Sequence, residues 1–340
     1  MEAAGAWCDT AEICFRLHDQ DQRLASVRLQ SAIGAGDFHY LDATRTWELR
    51  LPRPPVSRIE YRLELVHRDG GSESVRDPDN PRRSGDASVL ECGDYREPGW
   101  LGLPQAPGSW RDVYLPLPAV HGEMVARVWS PAAATDRVLV AHDGPDFHKL
   151  GELGRYTAAM IGAGRVPPYH LVLLPPGERF EWYSASPAYA RALAHDALPK
   201  LTAELGTDRP VVGAGASLGA LAMLHAQHRH PGLFAGLFLG SGSFFQPRYD
   251  RQESGFRRYL RIVRFTGRVL RTTTAEDPVP IVITCGAVEE NLANNRDMAA
   301  ALARQGHPVT FAEVPDAHNW TGWRDALDPH LTTLLQQVFR

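Results

Sequence analysis

Residues 211–222 are Val-Val-Gly-Ala-Gly-Ala-Ser-Leu-Gly-Ala-Leu-Ala, and this stretch is the most informative feature of the chain. It contains the pattern G-x-S-x-G, with Ser217 at its centre. A β-forming stretch precedes it at 209–213, and a helix-forming stretch follows it. Small residues around the serine let a strand and a helix approach closely, and the sharp turn between them presents the hydroxyl above the sheet. The stretch therefore predicts a strand–turn–helix unit with Ser217 as a candidate nucleophile.

Apolar strands and amphipathic helices alternate on both sides of this stretch. The predicted strands cover 137–141, 170–174, 209–213, 234–239, 279–284 and 309–314, and the predicted helices cover 152–162, 187–205, 218–227, 292–305 and 320–339. Alternation of this kind predicts an α/β domain with a parallel, doubly wound sheet.

Residues 10–90 follow a different period. In the stretch 58–66, apolar Ile59, Tyr61 and Leu63 alternate with charged residues, as in a half-buried strand. Several such strands separated by turn residues predict a β-sandwich. A segment rich in proline and glycine follows and is typical of a linker. We therefore predict a sandwich domain over 1–95, a linker over 96–111 and the α/β domain over 112–340.

Composition excludes several classes of protein. The 340 residues carry a formal net charge of −4, which predicts neither a nucleic-acid nor a membrane partner. The acidic N-terminal stretch lacks a signal-peptide pattern, so we expect a cytoplasmic protein. The cysteines are widely scattered, which indicates neither a zinc site nor a disulfide framework. Among them, Cys285 lies in an apolar run and is predicted to be a small core residue.

A serine nucleophile needs a base that takes its proton and a third group that orients the base. His318 is the candidate base, because it lies between the last predicted strand and the terminal helix. The acid is expected after the preceding strand, where Glu289 is our choice and Glu290 the alternative. A Ser–His dyad without an effective acid stays open. No metal or organic cofactor is predicted.

Two backbone N–H groups are needed to stabilise an oxyanion. Leu218, directly after the serine, supplies one. The second is expected in the loop after the predicted strand 137–141, where Pro145 has no N–H. Gly144, Asp146 and Phe147 remain as donors, and we favour Asp146.

Beyond this constellation, further motifs make the chain resemble the enterochelin esterase-like branch of the α/β-hydrolase serine esterases. They are Asp77-Pro-Asp-Asn-Pro81, Asp143-Gly144, Arg179–Tyr183, the Ala-rich stretch 188–199, Ser241-Gly-Ser-Phe244, Gly286-x-x-Glu289 and His318-x-Trp-x-x-Trp-Arg324. The resemblance implies an immunoglobulin-like β-domain before an α/β-hydrolase domain. It also implies ester hydrolysis, with trilactone siderophores as the best-known substrates. The chain departs from the enterochelin enzymes at Glu289, where Asp is more frequent, and after Ser243, where they have Trp.

Residues 244–271 form an Arg-rich insertion after the predicted strand 234–239. The guanidinium group of arginine presents several N–H donors in a planar fork, which suits recognition of a carboxylate, phosphate or catecholate. We therefore predict a cap over Ser217 with Arg257, Arg261 and Arg264 as substrate-binding candidates, joined by Arg179. The alternative is a solvated helix whose apolar face is turned inward.

We predict a serine esterase that acts on a small-molecule ester through an acyl-enzyme, with a siderophore trilactone as the implied substrate. One alternative is a carboxylesterase or acyltransferase unconnected with siderophores. The other is a degenerate hydrolase that serves as a binding module. The acyl group, the alcohol and the oligomeric state stay open.

Overall fold

A computed structural model describes residues 5–209 and 211–340. Pro210, which falls in the predicted strand 209–213, lies outside the described residues. The chain forms two compact units. The first contains the residues up to Arg96 together with Gly286–Glu289 and Val314–His318, and the second contains Glu97–Cys285, Glu290–Glu313 and Asn319–Arg340. By the predicted boundaries at 95 and 112, those two short segments fall in the α/β domain. These boundaries remain a proposal.

Two antiparallel sheets build the first unit. Their strands are β1 (Trp7–Cys8), β2 (Glu12–His18), β3 (Leu24–Ser31), β4 (Gly36–Asp37), β5 (His39–Leu41), β6 (Thr46–Pro52), β7 (Arg58–His67), β8 (Ser72–Val75), β9 (Arg83–Ser84) and β10 (Ala87–Glu91). One sheet has the order β1-β2-β6-β5, and the other has β4-β3-β7-β10-β9 with β8 paired to β7. Apolar residues from both sheets, such as Phe15 and Tyr61, share one core. The period-two pattern thus yields a sandwich, and its immunoglobulin-like connectivity stays a prediction.

Cys8 and Cys92 form a disulfide in this unit, 84 residues apart in the sequence. The sequence-based expectation of no disulfide is therefore wrong. Spacing alone gave no signal, because the fold brings β1 beside the end of β10. Among the described residues, Cys14 and Cys285 lie outside any disulfide, and both are buried, as predicted for Cys285.

Within the described residues, the second unit holds an eight-stranded sheet of order β11-β12-β14-β13-β15-β16-β17-β18. Its strands are β11 (Gly108–Leu117), β12 (Gly122–Pro131), β13 (Val138–Ala141), β14 (His170–Leu173), β15 (Val211–Ala216), β16 (Phe234–Gly240), β17 (Ile281–Gly286) and β18 (Val309–Val314). Strands β13 to β17 run parallel, whereas β11 and β12 form an antiparallel hairpin that the sequence did not predict.

The predicted linker is wrong over its last residues, because β11 begins at Gly108. Gly108 is there for packing: a Cβ on it would lie 2.4 Å from the Trp129 ring. Since β11 is an edge strand, Pro116 removes no hydrogen bond that the sheet needs on its open side. The single-turn helix Gly99–Gly102 also lies inside the predicted linker.

Helices flank this sheet. They are α1 (Gly144–Lys149), α2 (Leu153–Gly162), α3 (Arg179–Trp182), α4 (Pro187–Ala192), α5 (Leu198–Leu205), α6 (Leu218–Arg229), α7 (Tyr259–Arg271), α8 (Leu292–Arg304), α9 (Trp320–Asp325) and α10 (Thr332–Val338). The helices predicted over 187–205 and 320–339 are interrupted by wider turns at Leu193–Ala197 and Leu327–Leu331. Pro199 and Pro329 each lack the N–H that a continuous helix needs there. No helix of the described residues is long and apolar enough to cross a membrane.

Candidate active site

Ser217 occupies the turn between β15 and α6 with a strained backbone, φ 55° and ψ −123°. Non-glycine residues rarely adopt a positive φ, and such strain is concentrated at functional sites. The turn is held from the neighbouring strand, since the Ser217 N–H donates to the Gly240 carbonyl at 2.8 Å. The hydroxyl therefore emerges at the carboxyl end of β15, partly open to solvent.

The two glycines of the G-x-S-x-G pattern are required by close approach. A Cβ on Gly215 would lie 2.5 Å from the Gly219 carbonyl carbon. A Cβ on Gly219 would lie 3.1 Å from the Cβ of His142. Strand, helix and the adjoining loop thus meet at backbone distance, as the sequence pattern predicts.

Ser243 is a site residue that sequence reasoning missed. Its hydroxyl lies 3.2 Å from that of Ser217, and its N–H donates to the Ser217 carbonyl. The Asn295 side chain fixes this loop, accepting from the Gly242 N–H at 2.9 Å and donating to the Gly242 carbonyl at 2.8 Å. A signal existed, because Ser243 follows the strand adjacent to β15, where carboxyl ends of parallel strands meet.

The loop after β13 begins with His142, Asp143 and Gly144. The Gly144 N–H donates to the Leu174 carbonyl at 2.8 Å, and the Phe147 N–H donates to the Asp143 carbonyl at 2.9 Å. Two of the three candidate oxyanion donors therefore already have acceptors. Asp146 lies in the first turn of α1, where backbone N–H groups have no partner within the helix.

His142 is fully buried beneath the Ser217 turn, and sequence reasoning did not single it out. Its Nδ1 lies 3.0 Å from the Gly219 carbonyl and its Nε2 lies 2.9 Å from the Tyr189 hydroxyl. Burial lowers the pKa of His142 from 6.5 to about 4, so the ring is neutral near pH 7. The ring therefore links the loop after β13 to the helix that follows Ser217.

Asp143 and Arg179 form a two-bond ion pair beside this histidine. Arg179 Nε and Nη2 each lie 2.8 Å from a different oxygen of the Asp143 carboxylate. Asp143 is nearly buried, and its N–H lies 3.3 Å from the Tyr183 hydroxyl. Arg179, a predicted substrate-binding residue, is thus engaged with the loop that follows β13.

His318 and Glu289 meet in the first unit. His318 Nδ1 lies 2.7 Å from Glu289 Oε2, and Glu289 Oε1 accepts the Gly286 N–H at 2.8 Å. The Glu289 side chain is 1% exposed and that of His318 is 37% exposed. A carboxylate in this position fixes the Nδ1–H tautomer and directs Nε2 away from the pair. Glu290, the alternative acid, is exposed and accepts from the Gln252 amide at 3.0 Å instead.

The Arg-rich insertion includes α7, whose buried face is formed by Ile262, Phe265 and Val269. Glu181 accepts from Arg258 and from Arg261, and Arg261 also donates to the Ser184 carbonyl at 2.5 Å. Arg261 therefore joins α7 to α3, and its predicted role in substrate binding stays a prediction. The other two predicted arginines, Arg257 and Arg264, are exposed. Metal-ligating side chains form no cluster of three or more among the residues described.

Comparison with known proteins identifies the family. Residues 108–334 match the family model Esterase, described as "Putative esterase". The chain belongs to this family. A curated relative, an uncharacterized protein named YjcH from Bacillus subtilis, is 25% identical over 238 residues, which are 64% of this chain and 93% of that protein.

Solved structures extend the likeness over the whole chain. The enterobactin esterase FES from Shigella flexneri, crystallised with enterobactin, has a TM-score of 0.75 and 18% identity, covering 99% of this chain and 96% of that one. A ferric enterobactin esterase from Salmonella typhimurium also has a TM-score of 0.75, at 18% identity and 96% and 93% coverage. A ferulic acid esterase covers 69% of this chain, with a TM-score of 0.55. The predicted resemblance is thus confirmed for family and fold, and the protein is an esterase-family α/β protein.

Proposed function

We propose that the protein is a serine carboxylic-ester hydrolase with Ser217 as its nucleophile. The observation that carries this proposal is the strained turn at Ser217, which presents a hydroxyl at the carboxyl end of a central strand. The His318–Glu289 pair supports it, because it supplies an imidazole with the tautomer that a general base needs. The proposal requires His318 Nε2 to reach the Ser217 hydroxyl.

In the proposed reaction, Ser217 Oγ attacks the ester carbonyl carbon while His318 Nε2 takes the hydroxyl proton. The tetrahedral intermediate collapses when its bond to the alcohol oxygen breaks, and the imidazolium returns the proton to that leaving alcohol. Water then attacks the acyl-enzyme with the same proton relay, which releases the acid and restores Ser217. Glu289 stabilises the imidazolium in both halves of the reaction.

The oxyanion is assigned to the N–H groups of Leu218 and Asp146. Leu218 opens α6, and the helix N-terminus favours negative charge. For Asp146, support comes from the acceptors that Gly144 and Phe147 already have. A single fixed donor at this position typically contributes about 10²- to 10³-fold in kcat.

The proposed substrate is a small ester. Within this class, we propose a siderophore trilactone as the specific substrate. Support comes from the fold shared with enterobactin esterases over almost the full length. The exposed arginines Arg257 and Arg264 suit an anionic substrate. A carboxylesterase or acyltransferase acting on other esters is the second candidate, because the fold is also shared with a ferulic acid esterase. A binding module without activity would be the outcome if Ser217 proves unreactive.

A fluorophosphonate probe and p-nitrophenyl butyrate test the nucleophile. We expect the wild-type protein to be labelled and to hydrolyse the ester, and Ser217→Ala to lose both while keeping its fold. Ser109→Ala, which alters an exposed serine on the edge strand β11, is the matched control and should behave as wild type. Labelling of Ser217→Ala to the wild-type extent would contradict the assignment. A parallel screen with an iron-loaded trilactone and neutral esters separates the two substrate classes.

The cytoplasmic location stays a prediction. The Cys8–Cys92 disulfide favours an oxidising compartment instead, since disulfides are rare in the cytosol. Thiol trapping in intact cells decides between them: free Cys8 and Cys92 thiols would agree with the cytoplasm.

A further inference from the structure

Two short segments of the α/β chain belong to the first compact unit. Gly286–Glu289 begins at the last residue of β17, and Val314–His318 begins at the last residue of β18. These are the segments that carry Glu289 and His318. The surroundings of the proposed acid and base are therefore set by the unit that otherwise consists of the β-sandwich.

A backbone clamp holds the histidine segment. The Ser57 N–H donates to the Pro315 carbonyl at 2.8 Å, and the Ser57 hydroxyl lies 3.3 Å from the same oxygen. Ser57 is itself fixed, because its carbonyl accepts the Cys92 N–H at 2.9 Å. The clamp grips the chain three residues before His318.

A buried charge lies next to this clamp. Arg58 begins β7, and its side chain is 5% exposed. Its Nη2 lies 2.8 Å from Glu60 Oε1, and its Nη1 lies 3.9 Å from Asp316 Oδ2. Nη1 is buried and makes no hydrogen bond with the residues described, so its charge is compensated mainly through the two carboxylates.

Asp316 connects the Arg58 charge to the backbone just before His318. Its Oδ1 accepts the Ala317 N–H at 2.7 Å, which stiffens the backbone immediately before His318. The acid segment is held as well, because Val288 packs against the sandwich core beside Glu289. The two segments are joined to each other by the Ala287 N–H, which donates to the Val314 carbonyl at 2.9 Å.

We propose that the β-sandwich acts as a positioning element for the proposed acid–base pair, with Arg58 and Ser57 as its positioning residues. This inference rests on the proposed function where it concerns turnover. A base displaced by about 1 Å loses its alignment with the nucleophile, and such misplacement costs roughly 10²-fold in rate. A sandwich that grips the His318 segment prevents that displacement without touching substrate.

The test compares three variants of the full-length protein. Arg58→Met keeps the length of the side chain but removes its charge, and Arg58→Lys restores a charge at the same place. Arg16→Met is the matched control, because Arg16 on β2 is also largely buried and pairs with Glu48 at 2.5 Å within the same unit. Each variant is assayed well below its melting temperature, with its folded fraction measured by circular dichroism.

The first readout is hydrogen exchange of peptides that cover 314–319 and 286–291, which does not depend on enzymatic activity. We expect Arg58→Met to speed exchange in both by about tenfold or more, because loops with lost anchors open locally. Arg16→Met should leave these peptides unchanged, and Arg58→Lys should be intermediate. Unchanged exchange in Arg58→Met would overturn the inference whatever the activity.

The second readout is ester hydrolysis. We expect Arg58→Met to lower kcat by roughly 10- to 100-fold with KM little changed, since only the alignment of the base is disturbed. Equal loss of kcat in Arg16→Met would also overturn the inference, because general destabilisation would then explain both. If the wild-type protein neither hydrolyses esters nor reacts with the fluorophosphonate, the proposed function fails, and hydrogen exchange still decides whether Arg58 anchors the two segments.

Discussion

The turn that carries Ser217 and the segment that carries His318 both follow strands of one sheet, yet they are held by different parts of the chain. The Ser217 turn is shaped by glycines two residues away and by the next strand. The His318 segment is held by Ser57 and Arg58, which lie more than 250 residues earlier. The proposed nucleophile is thus positioned mainly by its own strand–turn–helix unit and the next strand, and its proposed base by contacts with residues far away in the sequence.

The largest effect is expected from a change of Glu289, the proposed acid that contacts His318. Glu289→Gln should lower kcat by up to about 10⁴-fold, because the amide no longer enforces the tautomer of His318. Glu290→Gln is the matched control and should be near wild type, since Glu290 is exposed and bonded to Gln252. Steady-state hydrolysis of p-nitrophenyl butyrate measures both.

Two results would contradict this assignment in different ways. If only Glu290→Gln is damaging, the acid is the neighbouring residue. If neither variant matters, the site works as a Ser–His dyad, and the remote contacts have less influence than the comparison assumes.

The surroundings of Ser217 are tested through His142, whose ring contacts the Gly219 carbonyl. Its pKa of about 4 lies below the usual 6.5, so the unfolded chain binds this proton more readily than the folded one. The resulting stability is present above pH 6.5 and is lost as the pH falls towards 4, with a contribution of roughly 3 kcal/mol. His142→Gln removes this titration and should flatten the fall of the free energy of unfolding between pH 6.5 and 4.

Urea unfolding at a series of pH values measures this slope. His39→Gln, which alters an exposed histidine of β5, controls for loss of an imidazole and should keep the wild-type slope. A His142→Gln profile parallel to wild type would mean that the buried ring does not titrate as its surroundings require.

The smallest effect is expected outside both regions, on the exposed face of α7. Arg257→Ala combined with Arg264→Ala should raise KM for an anionic ester about threefold and leave a neutral ester unaffected, since exposed charges act mainly on encounter. The difference should vanish in high salt. Equal changes in KM for both esters would indicate that α7 has only a structural role. An unchanged KM for both would indicate that the exposed face of α7 is a solvated surface without a role in binding.

Much of the fold was predictable because it follows from periodicity. The strand Val309–Val314 and the helix after Ser217 were found from apolar spacing, and strand alternation predicted the sandwich. The β11–β12 hairpin was missed because its glycine and prolines are typical of a linker. The prediction of continuous helices over 187–205 and 320–339 was wrong where a proline interrupts the hydrogen-bond ladder. A proline there changes the local turn without changing the apolar pattern.

Local spacing and chain order were enough to predict the α/β architecture, the turn at Ser217 and the candidates His318 and Glu289. The folded structure was needed to show that Glu289 rather than Glu290 contacts His318, that Arg261 binds Glu181, and that Cys8 is bonded to Cys92. Those outcomes depend on which side chains distant in sequence become neighbours. Such contacts follow from packing of whole strands and helices, which no local pattern encodes.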